Sequence, residues 1–145
     1  MTYYSLVKAI QTACENHKQV QSYGYGNLSN IETPLVHEDR RYPYVFLNPT
    51  QHAMQEGTIL YRFNMIVMEM AQTDSDVLAV QSDCQQYIDD ILAQLRFGYT
   101  DQIDLTLNVT LTPFKERFQD TVAGMTATLE VVVPSPLNQC IAPFN

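Results

Sequence analysis

A chain of 145 residues fits one domain, large enough to bury about two-thirds of the surface that its unfolded form exposes. Hydrophobic residues make up 46% and charged ones 17%, below the roughly 25% of an average soluble domain, so much of the surface is neutral or apolar and suited to subunit contact. Sixteen acidic against eight basic residues give a formal charge of −8, the wrong sign for a phosphate-tracking surface, which argues against sequence-specific nucleic-acid binding.

Between Tyr3 and His17 the apolar residues Tyr3, Leu6, Val7, Ile10, Ala13 and Cys14 recur at helical intervals, with Thr2 as N-cap, and predict an amphipathic first helix. The pattern dissolves from Lys18 to Pro43, which reads as mostly loop with a short strand near Val20 to Tyr25. Tyr23-Gly-Tyr-Gly26 lacks the Gly-Lys-Ser/Thr of a phosphate loop and reads as a tight turn exposing two aromatic rings, suited to a protein partner.

Tyr44 to Leu47 is a β-branched and aromatic run that Pro43 and Asn48-Pro49 confine to a short strand. After a turn around Gln55-Glu-Gly57, Thr58 to Met70 forms the longest strand. One face carries Ile59, Tyr61, Phe63, Met65 and Val67; the other, Leu60, Arg62, Asn64, Ile66 and Met68, starts mixed and turns apolar, so the strand is expected to be central and covered on both sides toward its end.

Asp74-Ser-Asp76 supplies a cap and two carboxylates for the positive end of a second helix. Val77, Val80, Cys84, Ile88, Ile91, Leu92 and Leu95 form its buried stripe, with Arg96 in the last turn and Gly98 just beyond. Leu105, Leu107, Val109 and Leu111 alternate with polar residues as one half-buried strand, and Met125, Ala127, Leu129, Val131 and Val133 repeat the device. Pro134 and Pro136 stop the pairing, and the uncharged tail from Leu137 to Asn145 is expected to dock.

These elements predict one α+β domain over residues 1–145, with two helices packed on a mainly antiparallel sheet in the order α-β-β-α-β-β. The segment Pro113 to Gly124 then reads as a link too long and too charged for a simple turn. In it Phe114 and Phe118 frame Lys115, Glu116 and Arg117, with Asp120 following; the residues fit a long solvated hairpin loop, or a helical turn whose rings anchor inward and whose outward charges form a subunit interface.

No catalytic signature emerges, and neither a metal nor a cofactor is expected. Cys14 and His17 stand three apart, but two ligands do not make a site. Cys14, Cys84 and Cys140 show no C-x-x-C pairing and read as reduced thiols of a cytosolic compartment. Asp89 and Asp90 diverge by about 100° on the helix and read as solvated surface. The first residues lack a basic stretch before an apolar run, and no segment approaches the roughly 18 apolar residues of a membrane span, so neither a signal peptide nor a membrane is expected.

The run Pro113 to Met125, the strand ending Glu130-Val-Val-Val-Pro134 and the Asn138-Gln-Cys140 tail resemble small tail-completion proteins of tailed bacteriophages, as do Tyr42-Pro-Tyr-Val-Phe-Leu-Asn-Pro49 and Phe63-Asn-Met-Ile-Val-Met-Glu-Met70 upstream. The order of these elements is similar to that of tail terminators. The resemblance implies a structural, non-enzymatic virion protein of the tail or neck, assembled in the host bacterial cytoplasm as a homo-oligomeric ring, commonly of six subunits. Such a ring meets the tail tube or the head connector, and DNA passes through it.

A head-completion adaptor or stopper of the neck is the neighbouring reading, and a small acidic ligand-binding or enzymatic α+β domain is the reading from another class. Within a ring, Lys115, Glu116, Arg117 and Asp120 are expected to make intersubunit or tube contacts. Tyr23, Tyr25, Arg40 and Arg41 are expected to form a mobile arm toward a neighbour.

Overall fold

The structure, a computed structural model, describes residues 1–27, 41–99, 102–105, 109–117, 121–135 and 143, with Glu116 and Arg117 described through their backbone alone. Helix α1 spans Tyr3–Asn16 and opens on a capping box: the Thr2 hydroxyl accepts from the Ser5 amide while the Ser5 hydroxyl accepts from the Thr2 amide. These bonds satisfy two otherwise orphaned donors, and Ser, Thr, Asn or Asp at an N-cap is worth about 1 kcal/mol. Leu6, Ala9, Ile10, Ala13 and Cys14 form the buried face, as their spacing requires.

The sheet holds strands β1 (Ser22–Tyr25), β2 (Tyr44–Gln55), β3 (Thr58–Met70), β4 (Asp104–Leu105), β5 (Thr110–Arg117) and β6 (Thr121–Pro134). Their order is β1-β2-β3-β6, with β4 and β5 both on the far side of β6. Only β1 and β2 run parallel; the other pairs are antiparallel, so the α+β class and the mainly antiparallel sheet hold. A 3-10 turn at Asp74–Asp76 leads into helix α2 (Val77–Gly98), in which Cys84, Tyr87, Ile88, Ile91 and Leu95 are buried.

Several sequence expectations are corrected. β2 does not stop at Asn48-Pro49 but continues to Gln55, and a register shift between Pro49 and His52 accommodates the proline. β1 pairs with β2 as far as Leu47, so among the described residues no strand on that side demands the N–H that Pro49 lacks. The run from Leu105 to Leu111 is not one strand: Leu105 pairs with Val131 and Thr110 with Thr128, so five residues of chain advance against three of β6.

The largest correction falls on Pro113 to Gly124. Residues from Pro113 to Arg117 are strand β5, and β6 already begins at Thr121, which leaves three residues for the connection. The helical-turn reading fails because β6 offers a complete partner ladder, from Thr110 opposite Thr128 to Arg117 opposite Thr121. Phe114 packs against a cluster on the face of the sheet away from the helices, while its neighbour Lys115 reaches Asp74 before α2. That alternation has period two. Asp76 is the N-cap of α2, within the expected Asp74-Ser-Asp76, but it makes no side-chain cap bond, and its carboxylate instead accepts from the Thr73 hydroxyl at 2.9 Å.

Two apolar clusters result. The larger lies between the helices and one sheet face, with Leu6, Ile10, Phe63, Met65, Ile88, Ile91, Leu129 and Val131 at its centre. The smaller, on the opposite face, comprises Tyr44, Phe46, Ile66, Met68 and Val122. Thus β3 is covered on both faces toward its end, as its sequence pattern requires. Each large side chain so buried contributes about 1.5–3 kcal/mol. Asn138, Cys140 and the rest of the tail expected to dock lie outside the described residues, apart from Pro143, which is exposed.

Candidate functional site

The charged edge of the sheet is β5. The carbonyl of Phe114 accepts a 3.0 Å hydrogen bond from Gln81 Nε2 of α2, and the Lys115 ammonium pairs with the Asp74 carboxylate at the start of the helical segment. β5 is therefore tied to α2 from two points. Glu116 and Arg117 lie on the same strand, opposite Val122 and Thr121. Asp120 lies outside the described residues.

At the other edge, Tyr23 and Tyr25 belong to β1 and not to a tight turn, because Ser22 to Tyr25 pair with Tyr44 to Leu47. Tyr23 packs against the main core, and its hydroxyl is buried without a hydrogen-bond partner among the described residues. Burial raises its pKa. Tyr25 is 44% exposed, and its hydroxyl shares a 2.6 Å hydrogen bond with that of Tyr3.

The Tyr3 ring stacks toward Tyr61 at 5.4 Å and lies 4.9 Å from His52. Burial, then the Tyr25 contact, raises the Tyr3 pKa. Arg41 bonds through its backbone to the Ser22 hydroxyl, and Arg40 lies outside the described residues. The three described members of the expected arm are thus fastened to β1 and are not a free arm.

His17 Nε2 and Asp90 Oδ2 join the end of α1 to α2 at 2.8 Å. The Gln19 amide donates to His17 Nδ1, so the assigned tautomer carries its proton on Nε2 and donates to Asp90. Both ring nitrogens are thereby engaged. Burial pushes the Cys14 and Cys84 thiols up to about 12, which keeps them protonated at neutral pH. Among the described residues, no three His, Cys, Asp or Glu side chains converge, and no helix is long and apolar enough to cross a membrane.

A groove of about 610 Å³ runs between α2 and strands β4 and β5. Ile88, Leu92, Leu105, Val109 and Leu111 form its apolar floor, and Gln85, Asp89, Arg96 and Phe97 stand at its walls. Sequence reasoning missed it because Leu92, Leu105 and Leu111 fit the buried stripes of their elements. The available signal was Phe97, a large apolar residue off the helical stripe, which is 74% exposed. The Tyr3–His52 contact also escaped notice, since β2 was expected to end before His52.

No protein-family model and no curated protein matches this chain.

Proposed function

We propose that this chain is a structural subunit of a tailed-bacteriophage virion, forming a homo-oligomeric ring that terminates the tail or joins it to the head connector. The observation that carries the reading is the placement of the segments resembling tail-completion proteins. Of these segments, residues 44–49, 63–70, 113–117 and 121–134 occupy the neighbouring strands β2, β3, β5 and β6. One register row runs Tyr44, Met68, Gly124, Phe114. The strand residues that carry the resemblance thus form one contiguous part of the sheet, while Asn138 to Cys140 lie outside the described residues.

On this reading the protein acts by assembly: the helices cover one face of the sheet, and its edges meet sister subunits, the tail tube or the connector. The reading places it in the tail or neck after assembly in the bacterial cytoplasm. Negative-stain microscopy and native mass spectrometry of the purified chain should show a ring of fixed order, with six subunits expected. Antibody labelling of particles should mark the head–tail junction. Label on isolated tails supports a terminator, and label on tailless filled heads an adaptor. A chain that remains monomeric and is absent from particles would overturn the proposal.

A further inference from the structure

His17 closes α1 and opens the connection to β1, residues 17–21. Its backbone shapes the turn: the His17 amide donates to the Cys14 carbonyl and the Val20 amide to the His17 carbonyl, each at 3.3 Å. Its ring ties the turn in two directions. Nε2 donates to Asp90 Oδ2 of α2 at 2.8 Å, and Nδ1 accepts from the Gln19 amide at 3.2 Å. Beyond the turn Val20 is buried, and the Gln21 amide donates to the carbonyl of Pro43, just before β2.

The two ring bonds respond differently to a proton. A neutral imidazole has one donor and one acceptor nitrogen, whereas an imidazolium has two donors and no acceptor. Proton uptake at Nδ1 therefore turns the Asp90 bond into a charge-assisted pair and sets a ring N–H against the N–H of Gln19. The ring itself is held by Asp90 and by the edge of Tyr87 at 5.4 Å, with only 11% of the side chain exposed. Gln19 is exposed, so its amide can turn to water instead, and the turn is the part that yields.

The ring faces Asp90 and Tyr87 from α2, and Lys18 and Gln94 line the same cleft. The His17 hydrogen bond, then that of Gln86, holds the Asp90 carboxyl below the usual carboxylate range, so it stays ionised in mild acid. Burial raises the Tyr87 pKa, so its phenol stays neutral there.

We infer that His17 is a proton-operated latch. Neutral, it fastens the α1–β1 connection to α2; protonated, it keeps the two helices joined and releases the Gln19 amide, which loosens the entry to β1. Among the described residues β1 stands at the end of the strand order and pairs with β2 alone, so this entry can loosen without breaking the central ladders. The latch belongs to the folded subunit and does not depend on assembly into a ring.

The test follows the full chain by NMR from about pH 8 to about pH 5, the range in which a histidine changes charge. The ring nitrogen shifts should place the proton on Nε2 alone at the upper end and on both nitrogens at the lower. Over the same titration the Gln19 amide should lose roughly fivefold or more of its protection against hydrogen exchange, corrected for the pH dependence of exchange itself. The amides of Ile88 and Ile91 in α2 should keep theirs. His17→Gln retains an acceptor but does not titrate, so its Gln19 protection should be equal at both ends of the range.

Gln19 protection that stays constant while the ring titrates overturns the latch. So does a ring that carries its proton on Nδ1 at the upper end, or one that stays neutral down to the lower. A His17→Gln chain whose Gln19 amide keeps the wild-type pH dependence overturns it as well, and the wild-type titration alone decides if that variant fails to fold.

Discussion

His17 Nε2 lies 2.8 Å from Asp90 Oδ2, a bond between residues at the end of one helix and the middle of the other. The same carboxylate accepts from Gln86 Nε2 at 3.1 Å. The His17 hydrogen bond, then that of Gln86, holds the Asp90 carboxyl below the usual carboxylate range, against a smaller opposing effect of burial.

A folded-state pKa below the unfolded value means stabilisation that is fully present above the ordinary carboxyl value of about 3.9 and lost as pH falls through the lower folded one. Asp90→Asn should therefore lower stability at neutral pH by less than about 1 kcal/mol, because the carboxylate is 42% exposed. The gap between variant and wild type should narrow as pH drops below about 4. Urea midpoints measured at successive pH values check this. A gap that widens in acid contradicts the assignment.

Gly124 and Gly24 separate two kinds of close approach. A Cβ on Gly124 would stand 1.9 Å from the Val67 carbonyl oxygen and 2.9 Å from the Met68 Cα, both backbone atoms of the central strand β3. A Cβ on Gly24 would meet the Tyr44 hydroxyl at 2.1 Å, which is the end of a side chain. Gly124 sits between β3 and β5, so neither neighbour can yield without disturbing a ladder. Gly124→Ala should cost about 3 kcal/mol or more, and Gly24→Ala about 1–2 kcal/mol, as read from denaturant midpoints. The reverse order would show that Tyr44 is held more rigidly than the sheet.

What the sequence made legible follows from how local each cause is. Thr58 to Met70 emerged as a strand with its observed bounds because alternation over thirteen residues leaves no competing period. The buried stripe of α2 was equally plain, though Tyr87 was not counted in it. By contrast, β5 is a strand because β6 pairs with it, and β2 passes Pro49 because β1 has already ended at its Leu47 partner. Such outcomes depend on partners far along the chain. The expected contact residues divide the same way: β1 and β5 set Tyr23 and Lys115 at opposite edges, and nothing local in either segment indicates an edge.

Burial makes a third expectation. Cys14 and Cys84 are fully buried, and their thiols are pushed up to about 12, so neither supplies appreciable thiolate to a reagent at pH 8. In a Cys140→Ser background, Ellman's reagent should label the native protein at least a hundredfold more slowly than the urea-unfolded chain, with both thiols then reacting. Labelling of one thiol at the rate of a free peptide cysteine would show that its helix opens readily.

Lys115 and Arg117 allow folding to be separated from assembly on β5. Lys115 pairs with Asp74, but the aspartate is 89% exposed, so Lys115→Ala should lower stability by less than about 1 kcal/mol. Arg117 is held in place by backbone pairing with Thr121, which a change of side chain does not remove. Arg117→Glu should therefore leave the melting profile of the subunit unchanged. If β5 borders a sister subunit or the tail tube, reversing that charge opposes the partner's field and slows association more than it alters the fold. Sedimentation and tail-joining assays should then show fewer complete rings or joined particles, with the loss deepest at low salt, where charge repulsion is least screened. Full assembly of Arg117→Glu at low salt would remove β5 from the contact surface.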